Sequence, residues 1–159
     1  MADNVDITGG AALDRALQQL PAKIERNILR SALRQGANVY RAEVRENIPI
    51  SSGKLRKSVR VSTGSKGASV FAYVRIGNKD TFYARFLEFG TQPHGVKKGA
   101  SVRRGKYQDG VLNPGLQPKP FARPAFDGKA GQALAAVQAQ IRKRLTAAGI
   151  NTPAPEIIE

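Results

Sequence analysis

The chain contains no cysteine, no tryptophan and a single histidine, and aromatic residues make up only 6% of its 159 positions. Without cysteine, disulfides and thiolate metal sites are excluded, and the redox compartment is not indicated by the sequence. No apolar run approaches the roughly 20 residues that a membrane-spanning helix needs. The first residues are acidic and lack the apolar core of a signal peptide. We therefore expect a soluble protein made in the cytoplasm, with no membrane partner.

Acidic residues are also scarce, because 12 Asp and Glu stand against 26 Lys and Arg and give a net charge of +14. Such a charge favours a polyanionic partner (nucleic acid, an acidic protein surface or anionic lipid) without choosing among them. The length indicates one domain with a thin core. We expect this domain to span residues 1–150 and to include an extended loop at 91–120. Residues 151–159, with two prolines and two glutamates, are expected to form a flexible tail.

Apolar spacing predicts two helices in the first third of the chain, over about 11–20 and 22–47. Pro21 separates them, because proline is tolerated only in the first turn of a helix. Ile48-Pro49 ends the second helix, since the residue before proline avoids the helical region.

The middle of the chain alternates in the manner of a hairpin, with strands predicted over 58–62 and 68–77 and a turn over 63–67. Residues 81–91 fit both a helix and a strand, and we favour a helical turn followed by a short strand. A last helix is predicted with Pro124 in its first turn and Gly149 just beyond its end.

The segment 91–120, here called the basic loop, has the most unusual composition in the chain. It carries six Lys and Arg against one acid, with five glycines and four prolines that leave little regular pattern. Loops longer than about 15 residues are usually functional or disordered. The densest aromatic cluster, residues 81–91, lies directly before it. We interpret the loop as an arm that contacts a partner through Lys97, Lys98, Arg103, Arg104, Lys106 and Tyr107.

No residue pattern indicates catalysis, a cofactor or a metal site. Gly53-Lys54 is not a phosphate-binding loop, because Ile occupies position 48 and Leu position 55. His94 has no second His or Cys with which to hold zinc. The acids around the basic loop stand singly: Asp80, Glu88, Asp109 and Asp127. A magnesium-dependent nuclease would need two or more converging acids, so it is a distant alternative.

Glu88 lies among aromatic residues, where a buried carboxylate would need a partner such as Arg56 or Arg123. We therefore predict that Glu88 locks the fold and does not act in catalysis.

Five arginines of the long helix lie largely off its apolar stripe: Arg26, Arg30, Arg34, Arg41 and Arg45. We interpret them as a solvated cationic face in preference to a DNA-reading helix, because no recognition-helix, zinc-finger or aromatic-sheet pattern accompanies them.

Three segments occur in an order that is more specific than any one of them: residues 48–59 (IPISSGKLRKSV), 83–91 (YARFLEFGT) and 120–127 (PFARPAFD). Together they resemble the neck or tail-completion family of tailed phages, and the similarity runs roughly from Leu13 to Leu145. The residues that carry it are Pro49, Gly53, Leu55, Arg56, Tyr83, Glu88, Phe89, Gly90, Thr91, Pro120, Phe121, Arg123 and Pro124. Ser52 departs from the more usual Thr. The basic loop is longer and more basic than the typical link, so its role does not carry over.

The resemblance implies an α+β fold, with a long N-terminal helix packed on a small antiparallel sheet, followed here by the extended basic loop and a C-terminal helix. It implies a non-enzymatic virion subunit, made in the host cytoplasm, that forms a ring at the head–tail junction. Its expected partners are other copies of the chain, adjacent neck and tail proteins and, nonspecifically, the genomic DNA in the channel. The alternative is a nonspecific DNA-binding protein that uses the basic loop and the Arg-rich helix. We rank DNA contact lower, because strong phosphate contacts lining a conduit would hinder DNA passage.

Overall fold

The structure is a computed structural model that describes residues 10–18, 20, 22–49, 53–95 and 112–150. The helices are α1 (Gly10–Gln18), α2 (Ala22–Asn47), α3 (Lys54–Ser58), α4 (Ala84–Phe89) and α5 (Ala122–Ala147). The strands are β1 (Arg60–Lys66), β2 (Ser69–Arg75), β3 (His94–Gly95) and β4 (Leu112–Asn113). The predicted α+β fold is confirmed: a long N-terminal helix packs on a two-stranded antiparallel sheet, and a long C-terminal helix follows. The tail 151–159 lies outside the described residues.

Helix α2 has the predicted bounds. It begins directly after Pro21, and its apolar stripe gives the buried residues Ile28, Ala32 and Val44. The backbone N–H of Ile48 still donates to the carbonyl of Val44 at 3.1 Å, and the helix ends there, before Pro49. Local sequence therefore sets both ends of the longest N-terminal element.

Helices α2 and α5 run antiparallel along most of their lengths. Gln140 Nε2 donates to Ser31 Oγ at 2.8 Å near one end. At the other end the rings of Tyr40 and Phe126 pack at a tilt of 35°, with centroids 4.6 Å apart. Between these contacts lies Gly36, which is buried. A Cβ atom at this position would lie 2.6 Å from Val137 Cγ2 and 3.1 Å from the carbonyl oxygen of Ala133. The missing side chain thus sets how closely the two helices approach.

Buried side chains form two clusters at opposite ends of this helix pair. One joins α1 to both long helices through Leu13, Leu17, Ile28, Ala32, Ile141 and Leu145. The other holds α3, α4 and the start of α5 against the end of α2 through Val44, Ile48, Leu55, Val59, Ala84, Phe121 and Ala125. The second cluster also contacts β2, through Val74. That second cluster therefore positions α4 and the ends of the basic loop.

The hairpin differs from the prediction in the place of its turn. Strand β1 continues to Lys66, which pairs with Ser69, so the turn is Gly67-Ala68 and not residues 63–67. Gly64, which suggested a turn in the sequence, lies inside the strand opposite Phe71. A Cβ at Gly64 would lie only 2.4 Å from the Phe71 ring, so the ring occupies the space that a side chain would fill.

The short helix α3 was not predicted, since the sequence suggested that residues 54–57 lead directly into a strand. Its buried residue Ser58 donates through Oγ to the carbonyl of Leu55 at 2.6 Å and accepts from the N–H of Gly77 at 3.1 Å. Arg45 of α2 donates through Nη2 to the carbonyl of Val59 at 2.8 Å. The end of α3 is therefore fixed to both α2 and the segment after β2.

Helix α5 ends in a Schellman motif. The N–H of Gly149, where φ is +79°, donates to the carbonyl of Thr146, and the N–H of Ile150 donates to the carbonyl of Leu145. Ile150 also packs with the cluster that contains Leu145. Gly149 thus has the role predicted for it, and the backbone direction is fixed as far as Ile150.

The close approach at Gly36 can be tested by substitution. We expect Gly36→Val to lower the free energy of unfolding by about 1–3 kcal/mol, because the added methyl groups overpack the contact with Val137 and Ala133. Urea denaturation followed by circular dichroism measures this.

The matched control is Gly131→Val in α5, where nothing lies within 4 Å of the added Cβ. Its stability should change by no more than about 0.5 kcal/mol. Equal losses in the two variants would contradict the close-approach interpretation.

Candidate functional site

The region around α4 combines an anchored carboxylate, an aromatic surface and the two ends of the basic loop. The segment that leads into α4 is held by Asn78, whose Oδ1 accepts from the N–H groups of Asp80 and Thr81, each at 3.0 Å. Thr81 Oγ1 accepts from the N–H of Asn78 at 2.8 Å, and Thr81 is only 1% exposed. This reciprocal capping box caps the single 3₁₀ turn Lys79–Thr81, which lies three residues before the start of α4.

Glu88 of α4 caps the N-terminus of α5. Its Oε2 accepts from the backbone N–H groups of Phe121 at 2.8 Å and Ala122 at 3.0 Å, and Oε1 accepts from that of Arg123 at 3.1 Å. Sequence reasoning expected an arginine side chain as the partner, whereas these bonds come from backbone groups that a helix leaves without intrahelical partners. The carboxylate therefore joins the second and third of the sequence segments noted above.

These contacts also set the ionisation of Glu88. Partial burial by itself raises its pKa, but the three backbone donors and the nearby charge of Arg123 outweigh burial. The pKa of Glu88 therefore lies below its ordinary value of 4.5. The carboxylate is the form that caps α5.

The two ends of the basic loop form a short paired stem. Thr91 and Leu116 exchange backbone hydrogen bonds of 2.9 and 3.2 Å, and β3 pairs with β4 in the register His94↔Asn113 and Gly95↔Leu112. The sequence did not indicate this pairing. The N–H of Lys119 donates to the carbonyl of Leu87 at 2.8 Å, which ties the returning strand to α4.

Gly90 allows this stem to leave α4. Its φ is +71°, which side chains rarely adopt, and a Cβ there would lie 2.5 Å from the carbonyl oxygen of Leu116 and 3.0 Å from Pro118. A larger residue at position 90 would therefore separate the two ends of the loop.

An exposed apolar surface lies beside the stem, and we call it the aromatic patch: Phe82, Phe86, Phe89 and Leu116. The exposed fractions of Phe82 and Phe89 are 67% and 69%, and those of Phe86 and Leu116 are 43% and 39%. Phe82 and Phe86 meet edge to face, with ring centroids 6.2 Å apart. Phe86, Phe89 and Leu116 also line one shallow depression with Thr91 and His94. Contiguous exposed aromatics of this kind mark interaction surfaces.

The residues that carry the phage-like segments do not all lie at this surface. Phe121 and Leu55 are buried in the cluster beneath α4, and Tyr83 packs against the same cluster. Gly53 precedes α3 with φ of +69°. Pro49, Arg56, Pro120, Arg123 and Pro124 are exposed. The predicted contact residues of the loop lie outside the described residues: Lys97, Lys98, Arg103, Arg104, Lys106 and Tyr107.

The arginines of α2 do not form one uniformly solvated face. Arg26 and Arg34 are exposed, but Arg30 Nη2 donates to Ser65 Oγ of β1 at 3.0 Å, and Arg45 bonds to the carbonyl of Val59 as described. Two of the five guanidinium groups thus connect the helix to neighbouring elements.

The part of the chain that the structure describes contains no cluster of side chains that could hold a metal ion. No three His, Cys, Asp or Glu side chains there come together as a metal site would require. His94 is exposed, and its Nδ1 lies 3.1 Å from the carbonyl oxygen of Gln92. None of the described helices combines the length and the hydrophobicity that crossing a bilayer requires.

The cap on α5 predicts a pH-dependent stability. Because the folded-state pKa of Glu88 is depressed, its contribution is complete above about pH 4.5 and is lost as the pH falls through the lower folded-state value. We expect Glu88→Gln to lower the free energy of unfolding at pH 7 by about 1–2 kcal/mol, the usual size of a lost helix cap. Urea denaturation at pH 7 and at pH 3 measures the difference.

Asp80→Asn is the control, since Asp80 is an exposed acid on the same segment. It should leave both stabilities nearly unchanged. If Glu88→Gln lowers the free energy of unfolding by the same amount at pH 3 as at pH 7, the ionised carboxylate does not act as the cap.

Comparison with known proteins identifies a family. The model of the HK97-gp10-like family, described as "Bacteriophage HK97-gp10, putative tail-component", matches residues 11–90. The match covers α1, α2, α3, the hairpin and α4, up to the glycine from which the basic loop departs. No curated protein and no solved structure matches the chain.

Proposed function

We propose that this chain, which belongs to the HK97-gp10-like family of phage tail components, is a structural subunit of the neck or tail-completion ring of a virion. In this proposal copies of the chain associate around the DNA channel at the head–tail junction, and the protein makes and breaks no covalent bonds. The observation that carries the proposal is the aromatic patch beside the stem of the basic loop. The patch is apolar although the chain is strongly basic, and the hydrogen bonds of α4 and the stem fix the backbone that carries it.

The patch is suited to a protein partner. Phe82 and Phe89 lie beside ordered elements, so docking requires little rearrangement of the backbone. About two-thirds of each residue is exposed to water, and covering it with a partner would contribute on the order of 1–2 kcal/mol to the free energy of binding. Aromatic side chains in such positions commonly dominate the affinity of an interface. We assign the patch to contact with a neighbouring copy in the ring.

The basic loop has a complementary role in this proposal. Its stem is fixed by pairing of Thr91 with Leu116 and of β3 with β4, next to the aromatic patch. Partner contact by Lys97, Lys98, Arg103, Arg104, Lys106 and Tyr107 would then occur close to the ring contact. We propose that the loop contacts an adjacent neck or tail protein. An acidic surface on that protein would suit its charge.

The ring contact is tested by the double variant Phe82→Ser, Phe89→Ser. We expect the purified protein to form concentration-dependent oligomers and the double variant to associate roughly tenfold to a hundredfold more weakly, since each lost ring contact weakens the affinity about tenfold. Light scattering after size-exclusion chromatography measures the oligomeric state.

Tyr73→Ser is the control, because Tyr73 of β2 is 46% exposed and contacts Phe71 and Arg75, which are not part of the patch. Its variant should associate as the unaltered protein does. Oligomers that survive loss of both phenylalanines would refute the assignment of the patch.

The role of the loop is tested by replacing residues 96–111 with Asn-Gly. The pair Gly95↔Leu112 would then be closed by a two-residue hairpin turn, so the fold should be retained. We expect phage that carry this replacement to produce heads and tails that fail to join, as counted by electron microscopy. A normal yield of joined particles would refute the role of the loop.

Two further observations separate this function from its alternative. Antibody against the protein should label virions at the head–tail junction, and particles that lack the protein would overturn the proposal. A nonspecific DNA-binding protein would instead bind duplex DNA tightly as a monomer, with an affinity that falls steeply with salt.

A further inference from the structure

A cleft between α2, β1 and the end of α5 gathers three arginines. We call it the arginine cleft, and Arg30 and Arg34 of α2 and Arg144 of α5 are part of its lining. Ile24, Ala147 and Ala148 add apolar surface beside them, and none of the described residues that line the cleft is acidic. Its volume is about 660 Å³, enough for several side chains. Three guanidinium groups at one site favour a ligand with more than one anionic group.

The arginines are only partly satisfied by the described residues. Arg30 gives one bond to Ser65, while its Nε is buried without a hydrogen-bond partner in the part of the chain that the structure describes. Arg144 Nη2 lies 3.5 Å from Ser31 Oγ, a long contact, and Arg34 is exposed. The cleft therefore has donors left for an incoming acid.

The end of α5 brings a suitable segment to the rim of the cleft. Ala147 and Ala148 line the cleft, and the Schellman motif holds the chain as far as Ile150. Residues 151–159 follow directly, with the sequence NTPAPEIIE and no basic residue. Six residues beyond Ile150 reach about 20 Å when extended, so Glu156 is within reach of the cleft.

We propose that residues 151–159 of the same chain dock in the arginine cleft. Glu156 and Glu159 would pair with the guanidinium groups, and Ile157 and Ile158 would contact the apolar wall near Ile24, which is 43% exposed. A short tether gives an effective concentration in the millimolar range, so even weak intrinsic affinity fills the site. This inference does not depend on the proposed assembly function.

Binding in trans provides the first test. A protein ending at Ile150 should bind a fluorescein-labelled peptide of residues 151–159 saturably, as measured by anisotropy. The peptide with Glu156→Gln and Glu159→Gln should bind roughly tenfold more weakly, because it loses its charged partners. Absence of binding, or equal affinity for the two peptides, would overturn the proposal.

Matched protein variants locate the site. Arg34→Gln and Arg144→Gln should each weaken binding of the peptide severalfold, whereas Arg26→Gln and Lys143→Gln should not. The control residues are exposed basic residues of the same two helices that do not line the cleft. The same loss in all four variants would show a nonspecific charge effect and refute the cleft.

The acidic N-terminal segment is tested as a competing occupant. Residues 1–9 contain Asp3 and Asp6, but none of the α1 residues whose side chains the structure describes lines the cleft. Deleting residues 2–9 from the truncated protein should therefore leave its affinity for the peptide unchanged. A gain in affinity would assign the cleft to the N-terminal segment and overturn the proposal.

A spin label decides whether the tail binds its own cleft. Because the chain has no cysteine, Ala154→Cys gives a single labelling site in the full-length protein. Amide signals of Asn27 and Ser31, which line the cleft on α2, should broaden when label and isotope are on the same molecule. They should not broaden when the two are on different molecules, and intermolecular broadening would show a second copy as the occupant.

DNA is the remaining competing occupant. A short DNA duplex should be titrated into the truncated protein and into its Arg34→Gln variant. If the duplex binds, the variant binds it more weakly and the peptide does not bind at all, the cleft is a phosphate site and tail docking is refuted.

Discussion

The carboxylate of Glu88 accepts three hydrogen bonds from the first N–H groups of α5. The arrangement of α4, the basic loop and the start of α5 depends on these bonds. They join α4 to a helix whose first residue lies more than thirty positions later in the chain. The bond from Lys119 to the carbonyl of Leu87 reinforces the same junction. The basic loop is thus closed at its base by contacts that do not involve its middle. Because the entropy cost of closing a loop rises only slowly with its length, this region can carry a long insertion at little cost to stability.

The two buried clusters divide the molecule into a supporting end and a contacting end. At the supporting end, α1 covers the α2–α5 pair through Leu13 and Leu17. At the contacting end, Val44, Leu55 and Phe121 hold α3 and α4 in place. Between them the close approach at Gly36 keeps the long helices in register. A change in the first cluster therefore reaches α4 through the α2–α5 contact, whereas a change in the second cluster reaches α4 directly, because Ala84 belongs to that cluster.

Sequence reasoning succeeded where local chemistry decides the structure. Pro21 and Pro49 determine the bounds of α2, and Gly149 ends α5, so these elements were predicted closely. The hairpin turn was misplaced because Gly64 resembles a turn residue, although the Phe71 ring across the strand accounts for it. The partners of Glu88 were missed for a related reason: backbone N–H groups carry no residue identity, so a sequence does not show which helix end a carboxylate will cap. The aromatic cluster was evident from composition, but the exposure of its members depends on tertiary packing.

The geometry of α4 explains why that cluster points outward. The helix is only six residues long, and Ala84 and Leu87 already fill its contact with the core. Phe82, Phe86 and Phe89 recur at intervals of four and three, which places them together on the opposite side. A fold that needed only a core would gain nothing from apolar residues there, since each exposed ring promotes unwanted association. Their presence beside the stem of a cationic loop is what the proposed contact with a neighbouring copy would explain.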